Sequence, residues 1–379
     1  MGEIISIART ARLLSVEPPP GRMDPRITAY AHVLTTAITI PKKGSILVVI
    51  PASESNLAKE ITRMILARDA FPHIHVYHDE YPYDHTFLTH AAEDLLAREP
   101  ATHRALTQAT DGRIMIRTPT NTRAFTSVDP RRLALAERAM HGIQRYVVDE
   151  QDNWVLGMSP NNALAQDAEM SLAEYEDFFY DAVLQDWEQQ RAFQERLKAL
   201  MERTDQVRIL GKDTDLRFSI RGKRACPCTG THNIPDGEVF TEPVKESVEG
   251  TIRFSYPAIR KGREVSGIRL GFEKGKAVAI HADKNEEYLK EMLALDEGAS
   301  YIGEFGIGTN YGISRFTKQI LFDEKIGGSI HLALGNAYKT TGGENQSALH
   351  WDMILDLRDG GEIRFDETIV QKDGEFRIH

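Results

Sequence analysis

Cysteine is scarce in this chain of 379 residues, which contains only Cys226 and Cys228, in the segment "ACPCTG". With a single proline between them, the two thiols are poor partners for a disulfide. A chain of this length with no other thiol is typical of a reducing compartment, so we expect a cytoplasmic protein. A C-x-C pair can chelate a soft metal, but two unrelated small residues near a turn are the simpler interpretation.

Long apolar runs are absent as well, since none approaches the roughly 20 residues that a membrane-spanning helix needs. The N-terminus lacks the charged-then-apolar layout of a signal peptide. Its first residues, "MGEIIS", fit the loose myristoylation pattern, but the acid after the glycine and the lack of a nearby basic patch favour a chance match. We therefore expect no membrane partner.

A surplus of basic residues is also missing, because the formal net charge is -10. A general nucleic-acid binder usually carries a basic surplus, so we expect no nucleic-acid partner. The composition, 41% hydrophobic and 27% charged, is that of an ordinary folded soluble protein. The length fits about two domains.

The first half alternates strand and helix patterns. "GSILVVIP" (44–51), "HIHVYH" (73–78) and "GRIMIRT" (112–118) are typical of buried strands. Helical spacing follows in "ESNLAKEITRMILARDA", in 86–98 and after Asp129, which precedes Pro130 as a helix cap. This order predicts an α/β domain with a mostly parallel sheet.

A capping box at Ser171 and Glu174 predicts one long helix reaching about residue 203, after a polar connection over 151–170. Beyond residue 204, segments such as "QVRILGKDTDLRFSIRGK" and "EIRFDETIVQKDGEFRIH" alternate apolar and polar residues between turns, as antiparallel strands do. We therefore predict two domains: an N-terminal α/β domain (1–204) that includes the long connecting helix, and a C-terminal β-rich domain (205–379).

Several common catalytic motifs are missing: there is no phosphate loop, no H-E-x-x-H helix and no G-x-S-x-G elbow. "GEFGIG" (303–308) has the wrong glycine spacing and context for a dinucleotide site. The second half instead collects metal-binding residue types. In "HWDMI", His350 and Asp352 are two apart, so on a strand both side chains face one side. His331 lies in another apolar segment, "SIHLALG".

Each of these residues alone has a simpler interpretation, in which the histidine and the acid satisfy each other and the nearby backbone. Two glutamates change the balance: Glu238 follows a Pro-Asp-Gly turn, and Glu304 lies beside a glycine-rich turn. Three acids and two histidines in one domain match a two-metal hydrolytic centre, in which carboxylates bridge the cations and an activated water is the nucleophile.

Four blocks, "NIPDGEVFTEP", "IGEFGIGTN", "DEKIGGSIHLALGNAY" and "ENQSALHWDMI", closely resemble the thermophilic-type metallo-aminopeptidase family, which includes aminopeptidase T and aminopeptidase S. The first half is similar too, in "KKGSILVVIP" and "DNWVLGMSPNNALAQ". The resemblance implies that the metal ligands are Glu238, Glu304, His331, His350 and Asp352.

The resemblance also implies that Tyr338 lines the active site, where its phenol can donate a hydrogen bond to the oxyanion. Glu238 or Glu304 is the expected proton carrier. The implied enzyme is a homodimeric aminopeptidase with two divalent ions (Zn, Co, Mn or Mg) that hydrolyses the N-terminal bond of short peptides. Two features depart from the family: the segment from Tyr338 to His350 is short, and His232 is an extra candidate ligand.

Two alternatives stay open. Relatives of the same fold family resemble mononuclear iron dioxygenases that open dihydroxypyridine rings, and His331, His350 and Asp352 supply their two-histidine, one-carboxylate set for one Fe(II). Such an enzyme needs neither glutamate, so the presence of both favours hydrolysis. A binding protein that keeps the scaffold without activity predicts the loss of a ligand position, and none is lost.

Overall fold

The computed structural model describes residues 23–260 and 262–378, so the N-terminal segment considered for lipidation lies outside the described residues. The chain forms two compact units. Of the described residues, the first unit comprises those up to Leu184 together with Gly230–Pro235, and the second comprises Gln185–Thr229 and those from Asp236 onwards. The division into domains at residue 205 stays a prediction.

Helices form a larger share of the first unit than of the second. The α-helices are α1 (Pro25–Thr36), α2 (Ser55–Leu66), α3 (His85–His90), α4 (Glu93–Leu96), α5 (Ala101–Gln108), α6 (Pro130–Arg145), α7 (Asn162–Asp167), α8 (Leu172–Val183), α9 (Trp187–Arg203), α10 (Glu286–Leu293) and α11 (Ile320–Asp323). Short 3₁₀ turns lie at Ala52–Glu54 and Lys339–Thr341, and a π-type turn lies at Tyr146–Gln151. Among the described residues, no helix combines the length and hydrophobicity that crossing a bilayer requires.

Strands supply the frame of both units. They are β1 (Ser45–Pro51), β2 (Phe71–Tyr77), β3 (Gly112–Ile116), β4 (Trp154–Gly157), β5 (Gln206–Gly211), β6 (Thr214–Ser219), β7 (Cys226–Cys228), β8 (Asn233–Ile234), β9 (Glu238–Thr241), β10 (Glu249–Arg253), β11 (Ala258–Arg260), β12 (Arg263–Val265), β13 (Arg269–Glu273), β14 (Lys276–His281), β15 (Ile302–Gly308), β16 (Ser329–Gly335), β17 (His350–Asp356), β18 (Glu362–Phe365), β19 (Thr368–Lys372) and β20 (Glu375–Phe376).

The first unit is built on a five-stranded parallel sheet in the order β2-β1-β3-β4-β8. The interior strand β1, which pairs with β2 and β3, is almost entirely buried, as its β-branched run predicts. Helix α2 buries Leu57, Ile61 and Ile65, which recur at helical spacing. The predicted α/β half with its parallel sheet is confirmed.

Two details of the first half were predicted wrongly. The polar stretch 151–170 is not a plain connection, because it contains strand β4 and helix α7. The segment 86–98 contains α3 and α4, separated by extended backbone at Ala91 and Ala92. Strand β8 was not predicted, because its two residues are too few to show an alternating pattern.

The predicted single helix over 171–203 is also wrong, since α8 and α9 are separate. The capping box is present, with the Ser171 hydroxyl accepting from the Glu174 amide. The first helix ends when Leu184 leaves the helical conformation, at φ -95° and ψ 46°. A new helix then begins after Asp186, whose carboxylate accepts from the amide of Gln189.

The second unit contains two larger antiparallel sheets. One has eight strands in the order β14-β13-β10-β6-β5-β18-β19-β20, and the other has five in the order β17-β16-β15-β9-β7. A shared apolar core includes Phe218, Phe305 and Leu332. The β-rich second half is confirmed, and its five-stranded sheet carries the residues on which the functional prediction depends.

Candidate metal centre

Strand register brings the predicted ligands to one face of the five-stranded sheet. Glu304 on β15 lies opposite Ala333 on β16, which lies opposite Asp352 on β17. Side chains two apart on a strand share a face, so His331 joins this row from β16 and His350 joins it from β17. Glu238 enters from β9, next to β15.

The side chains form two groups that share Glu304. In the first group, Nε2 of His331 lies 3.3 Å from Oε2 of Glu238 and 3.3 Å from Oε1 of Glu304. In the second, Nε2 of His350 lies 3.3 Å from Oε2 of Glu304 and 3.7 Å from Oδ1 of Asp352. Within each group, the potential ligand atoms all lie within 4.8 Å of one another. Each oxygen of Glu304 therefore faces a different histidine.

Both imidazoles are held from behind by the backbone. Nδ1 of His331 lies 3.0 Å from the carbonyl oxygen of Glu324, and Nδ1 of His350 lies 2.9 Å from that of Asn336. A carbonyl can only accept, so Nδ1 carries the donated proton and Nε2 points into the cluster. Metal-binding histidines usually have this second contact, which fixes the tautomer and the ring orientation.

Burial and mutual contacts shift the pKa values of the cluster strongly. Burial raises the pKa of Glu238 to about 8 despite the ammonium of Lys325, and burial raises that of Asp352 to about 6. Burial also opposes the charge of Glu304, but hydrogen bonds from His331 and His350 outweigh it and bring its pKa to about 2. Glu304 is therefore held in its ionised form beside Glu238 and Asp352, whose ionisation is disfavoured. This combination is typical of a site that needs added positive charge.

The same contacts raise the pKa values of the two histidines. Burial lowers the pKa of each imidazole, but the neighbouring carboxylates outweigh it and raise both values to about 10. Without a cation in the cluster, protons on the imidazoles therefore supply the positive charge that the acids require.

Unpaired carboxylate oxygens indicate that a metal cation fits this cluster. Within the described part of the chain, Oε2 of Glu238 and Oδ1 of Asp352 are buried and have no hydrogen-bond partner. Such orphaned acceptors are costly unless they bind a cation. Ligands at 2.0–2.1 Å from a tetrahedral cation lie about 3.3 Å apart, which is the separation between Nε2 of His331 and both of its carboxylate neighbours.

Tyr338 lies beside the second group. Its hydroxyl is 3.4 Å from Nε2 of His350, and its ring packs against His350 and Phe240 at centroid distances of 5.1 and 5.5 Å. Burial, followed by the charges of Glu304 and Asp352, raises the pKa of the phenol. Tyr338 therefore keeps its proton at neutral pH and can donate a hydrogen bond.

Two residues of the cluster were missed from the sequence. Glu324 forms a further potential ligand group with His331 and Asp352, and the fully buried Lys325 contacts both Glu324 and Glu238. The triplet "DEK" offered no signal, because charged residues after a short helix usually face solvent.

The other candidate ligands, His232 and the two cysteines, lie away from the ligand cluster or at its border. Nε2 of His232 is 3.1 Å from Oδ1 of Asp152 in the first unit, and His232 joins none of the potential ligand groups found among the described residues. Both cysteines are free thiols. Cys228 lies within reach of Asp236 and Glu238, at the border of the cluster.

Comparison with known proteins identifies the family to which this chain belongs. The model of the thermophilic metalloprotease (M29) family matches residues 23–376, which is most of the chain. The chain belongs to this family. Its membership confirms the resemblance carried by the four sequence blocks.

Curated members of the M29 family show similarity of different extents. Aminopeptidase T of Thermus thermophilus is 35% identical over 153 residues, which is 36% of this chain and 36% of that protein. Aminopeptidase AmpS of Bacillus subtilis is 34% identical over 34% of this chain and 35% of that protein. These alignments thus span about a third of either relative. Aminopeptidase 2 of Geobacillus stearothermophilus is 24% identical over 93% of this chain and 96% of that protein.

A solved structure of the family supports the fold. Wild-type AmpT from Thermus thermophilus superposes with a TM-score of 0.78, covering 93% of this chain and all of that chain at 22% identity. At this identity the similarity concerns the fold, which confirms the combination of a parallel N-terminal sheet and antiparallel C-terminal strands.

Proposed function

We propose that this M29 protein is a metal-dependent aminopeptidase that hydrolyses the N-terminal peptide bond of short peptides at a two-metal centre. The observation that carries the proposal is the pair of ligand groups that share Glu304, each with an orphaned carboxylate oxygen. One group would hold a cation with Glu238, Glu304 and His331, and the other with Glu304, His350 and Asp352. The names of the curated relatives, all aminopeptidases, support the reaction class.

Divalent cations in these groups would polarise the scissile carbonyl and lower the pKa of a bound water. The residues of the chain have complementary tasks. Glu304 faces one histidine with each oxygen, so it suits the role of the shared ligand. Tyr338 keeps its proton and would donate it in a hydrogen bond to the developing oxyanion. Proton transfer to the leaving amine falls to a carboxylate, for which Glu324 now joins Glu238 and Glu304 as a candidate.

The iron dioxygenase alternative receives no support from the comparisons. The dioxygenase alternative also assigns no function to the buried Glu238, although Oε2 of Glu238 lies 3.3 Å from Nε2 of His331. The homodimer, the cytoplasmic location and the identity of the two metals stay predictions from the resemblance and from the cysteine content.

The central experiment is an activity assay after reconstitution with Zn, Co, Mn or Mg, on a panel of aminoacyl chromogenic substrates beside catechol-like and dihydroxypyridine compounds. We expect aminopeptidase activity with close to two metal ions per chain. His350→Ala and Asp352→Ala should each lose metal and activity. His281→Ala is the matched control, since His281 lies in the same unit, is half exposed and contacts Glu286.

Full peptidase activity with retained metal in the His350→Ala and Asp352→Ala variants would remove the basis of the proposal. Oxygen consumption that depends on one Fe(II) per chain, without peptidase activity, would favour the dioxygenase instead.

A further inference from the structure

Lys325 is completely buried, at 0% exposure, beside the proposed centre. Lysine is almost never fully buried unless its charge is paired. Its Nζ lies 3.3 Å from Oε1 of Glu238 and makes a short ion pair with Oε1 of Glu324. A buried ammonium therefore connects a proposed metal ligand with a second carboxylate of the cluster.

The contact with Lys325 gives the two oxygens of Glu238 different partners. Oε1 faces the ammonium of Lys325, while Oε2 faces Nε2 of His331 at 3.3 Å and accepts no hydrogen bond from the described residues. A carboxylate held in this way cannot rotate freely, since rotation would break the ion pair. Only one oxygen is left to bind a cation beside His331.

We propose that Lys325 is a positioning residue that fixes Glu238 through one oxygen. The other oxygen is thereby directed to the cation of the group of Glu238, Glu304 and His331. The inference rests on the proposed metal centre and adds to it a residue that does not itself bind the metal. It differs from a purely structural role, because it affects one of the two ligand groups selectively.

The test is a calorimetric metal titration of Lys325→Met with Zn²⁺ or Co²⁺. Loss of a partner that orients a ligand typically weakens metal binding by about 10- to 100-fold. We expect this loss in an Asp352→Ala background, which leaves the Glu238 group to be measured. In a Glu238→Ala background, which leaves the group of His350, Lys325→Met should change little.

Lys223→Met is the matched control. Lys223 makes another lysine–glutamate pair in the same unit, with its largely buried Nζ 3.0 Å from Oε1 of the buried Glu242. Its loss should lower stability without a selective change in metal affinity. Equal metal binding in folded Lys325→Met and the wild type would overturn the proposal, and so would equal weakening of both groups.

A second measurement covers the case in which Lys325→Met does not fold. In a crystal structure of the metal-loaded wild-type protein, Glu238 should bind the cation through Oε2 alone while Oε1 stays on Lys325. A Glu238 that leaves Lys325 and binds with both oxygens would overturn the inference. A wild-type protein that binds no divalent metal would instead refute the proposed function, so the two failures are distinguishable.

Discussion

Gly306 lies directly opposite His331 on neighbouring antiparallel strands, and its missing side chain provides the space for the imidazole. A Cβ at Gly306 would come within 2.0 Å of Cε1 and 2.2 Å of Nε2 of His331. Gly306 is thus explained by close packing against a buried histidine rather than by phosphate binding. The other two glycines of "GEFGIG", Gly303 and Gly308, instead lie close to the backbone carbonyl oxygens of Gly335 and Ile326.

Gly306→Ala should therefore displace His331 and impair the first ligand group. Overpacking of a buried site costs about 1–3 kcal/mol of stability, and we expect lower metal affinity as well, since Nε2 is the atom displaced. Metal titration and thermal unfolding measure the two effects separately.

Gly211→Ala is the control for Gly306→Ala, because the nearest atom to a Cβ at Gly211 is 3.7 Å away. It should keep metal affinity and nearly all of the stability. Unchanged metal binding in a folded Gly306→Ala protein would show that the His331 ring can move without consequence.

Local signals in the sequence were sufficient to select residues that meet on one face of the sheet, and their role as metal ligands stays a prediction. His350 and Asp352 are two residues apart in an apolar segment, which is sufficient to place both on one face of a strand. The Pro-Asp-Gly segment before Glu238 indicated an acid held by rigid backbone, but the glycine-rich turn expected beside Glu304 is wrong, because these glycines belong to strand β15. The strand order that brings the segments together was not predicted, since no local pattern encodes it, and only the family resemblance implied that these residues act together.

Residues that depend on tertiary packing were missed. Lys325 is 0% exposed although it belongs to a charged triplet, because strand β9 supplies the carboxylate of Glu238 in addition to that of the adjacent Glu324, and no local pattern reveals this distant partner. The break between α8 and α9 was missed for a similar reason, as Leu184 is neither proline nor glycine. Strand β8 joins a sheet whose other strands lie far away in the sequence.

Tyr338→Phe should lower kcat with little effect on metal content. The hydroxyl lies 3.4 Å from Nε2 of His350, whereas the ring packing against Phe240 is kept in the variant. Loss of one oxyanion donor typically costs about 10²- to 10³-fold in kcat. Steady-state kinetics on an aminoacyl substrate, with metal analysis of the same sample, measures both quantities.

Tyr311→Phe is the control for this variant, since Tyr311 lies in the same unit and its hydroxyl donates to the carbonyl oxygen of Gly374. Its kcat should equal that of the wild type. If Tyr338→Phe also retains full kcat, Tyr338 is a packing residue of the site and has no role in the reaction.

Glu324→Gln should separate proton transfer from metal binding. Glu324 reaches the ligand atoms of His331 and Asp352 but belongs to neither of the two groups that share Glu304. A general acid or base contributes about 10²- to 10⁴-fold, so kcat should fall by this order while both metals remain bound. The pH–rate profile should also lose one of its limbs.

Glu344→Gln serves as the control, because Glu344 is an exposed partner of Lys223 in the same unit. Its kinetics should match the wild type. If Glu324→Gln loses metal in parallel with activity, Glu324 acts as a ligand, and the proton carrier is Glu238 or Glu304.

Metal binding should become tighter as the pH rises from about 6.5 to about 10. The pKa values of His331 and His350 are raised to about 10 in the metal-free protein, because contacts with the carboxylates outweigh burial. Both imidazoles are therefore protonated at neutral pH, and a metal, which binds the neutral ring, must displace their protons. Titration calorimetry at about pH 9, in buffers of different ionisation enthalpy, should detect the release of about one proton per histidine, because Glu238, with a pKa of about 8, is already ionised at that pH. Metal binding to the His350→Ala variant should release one proton fewer. Metal binding that releases no protons and does not depend on pH would contradict the geometry in which both Nε2 atoms face the carboxylates.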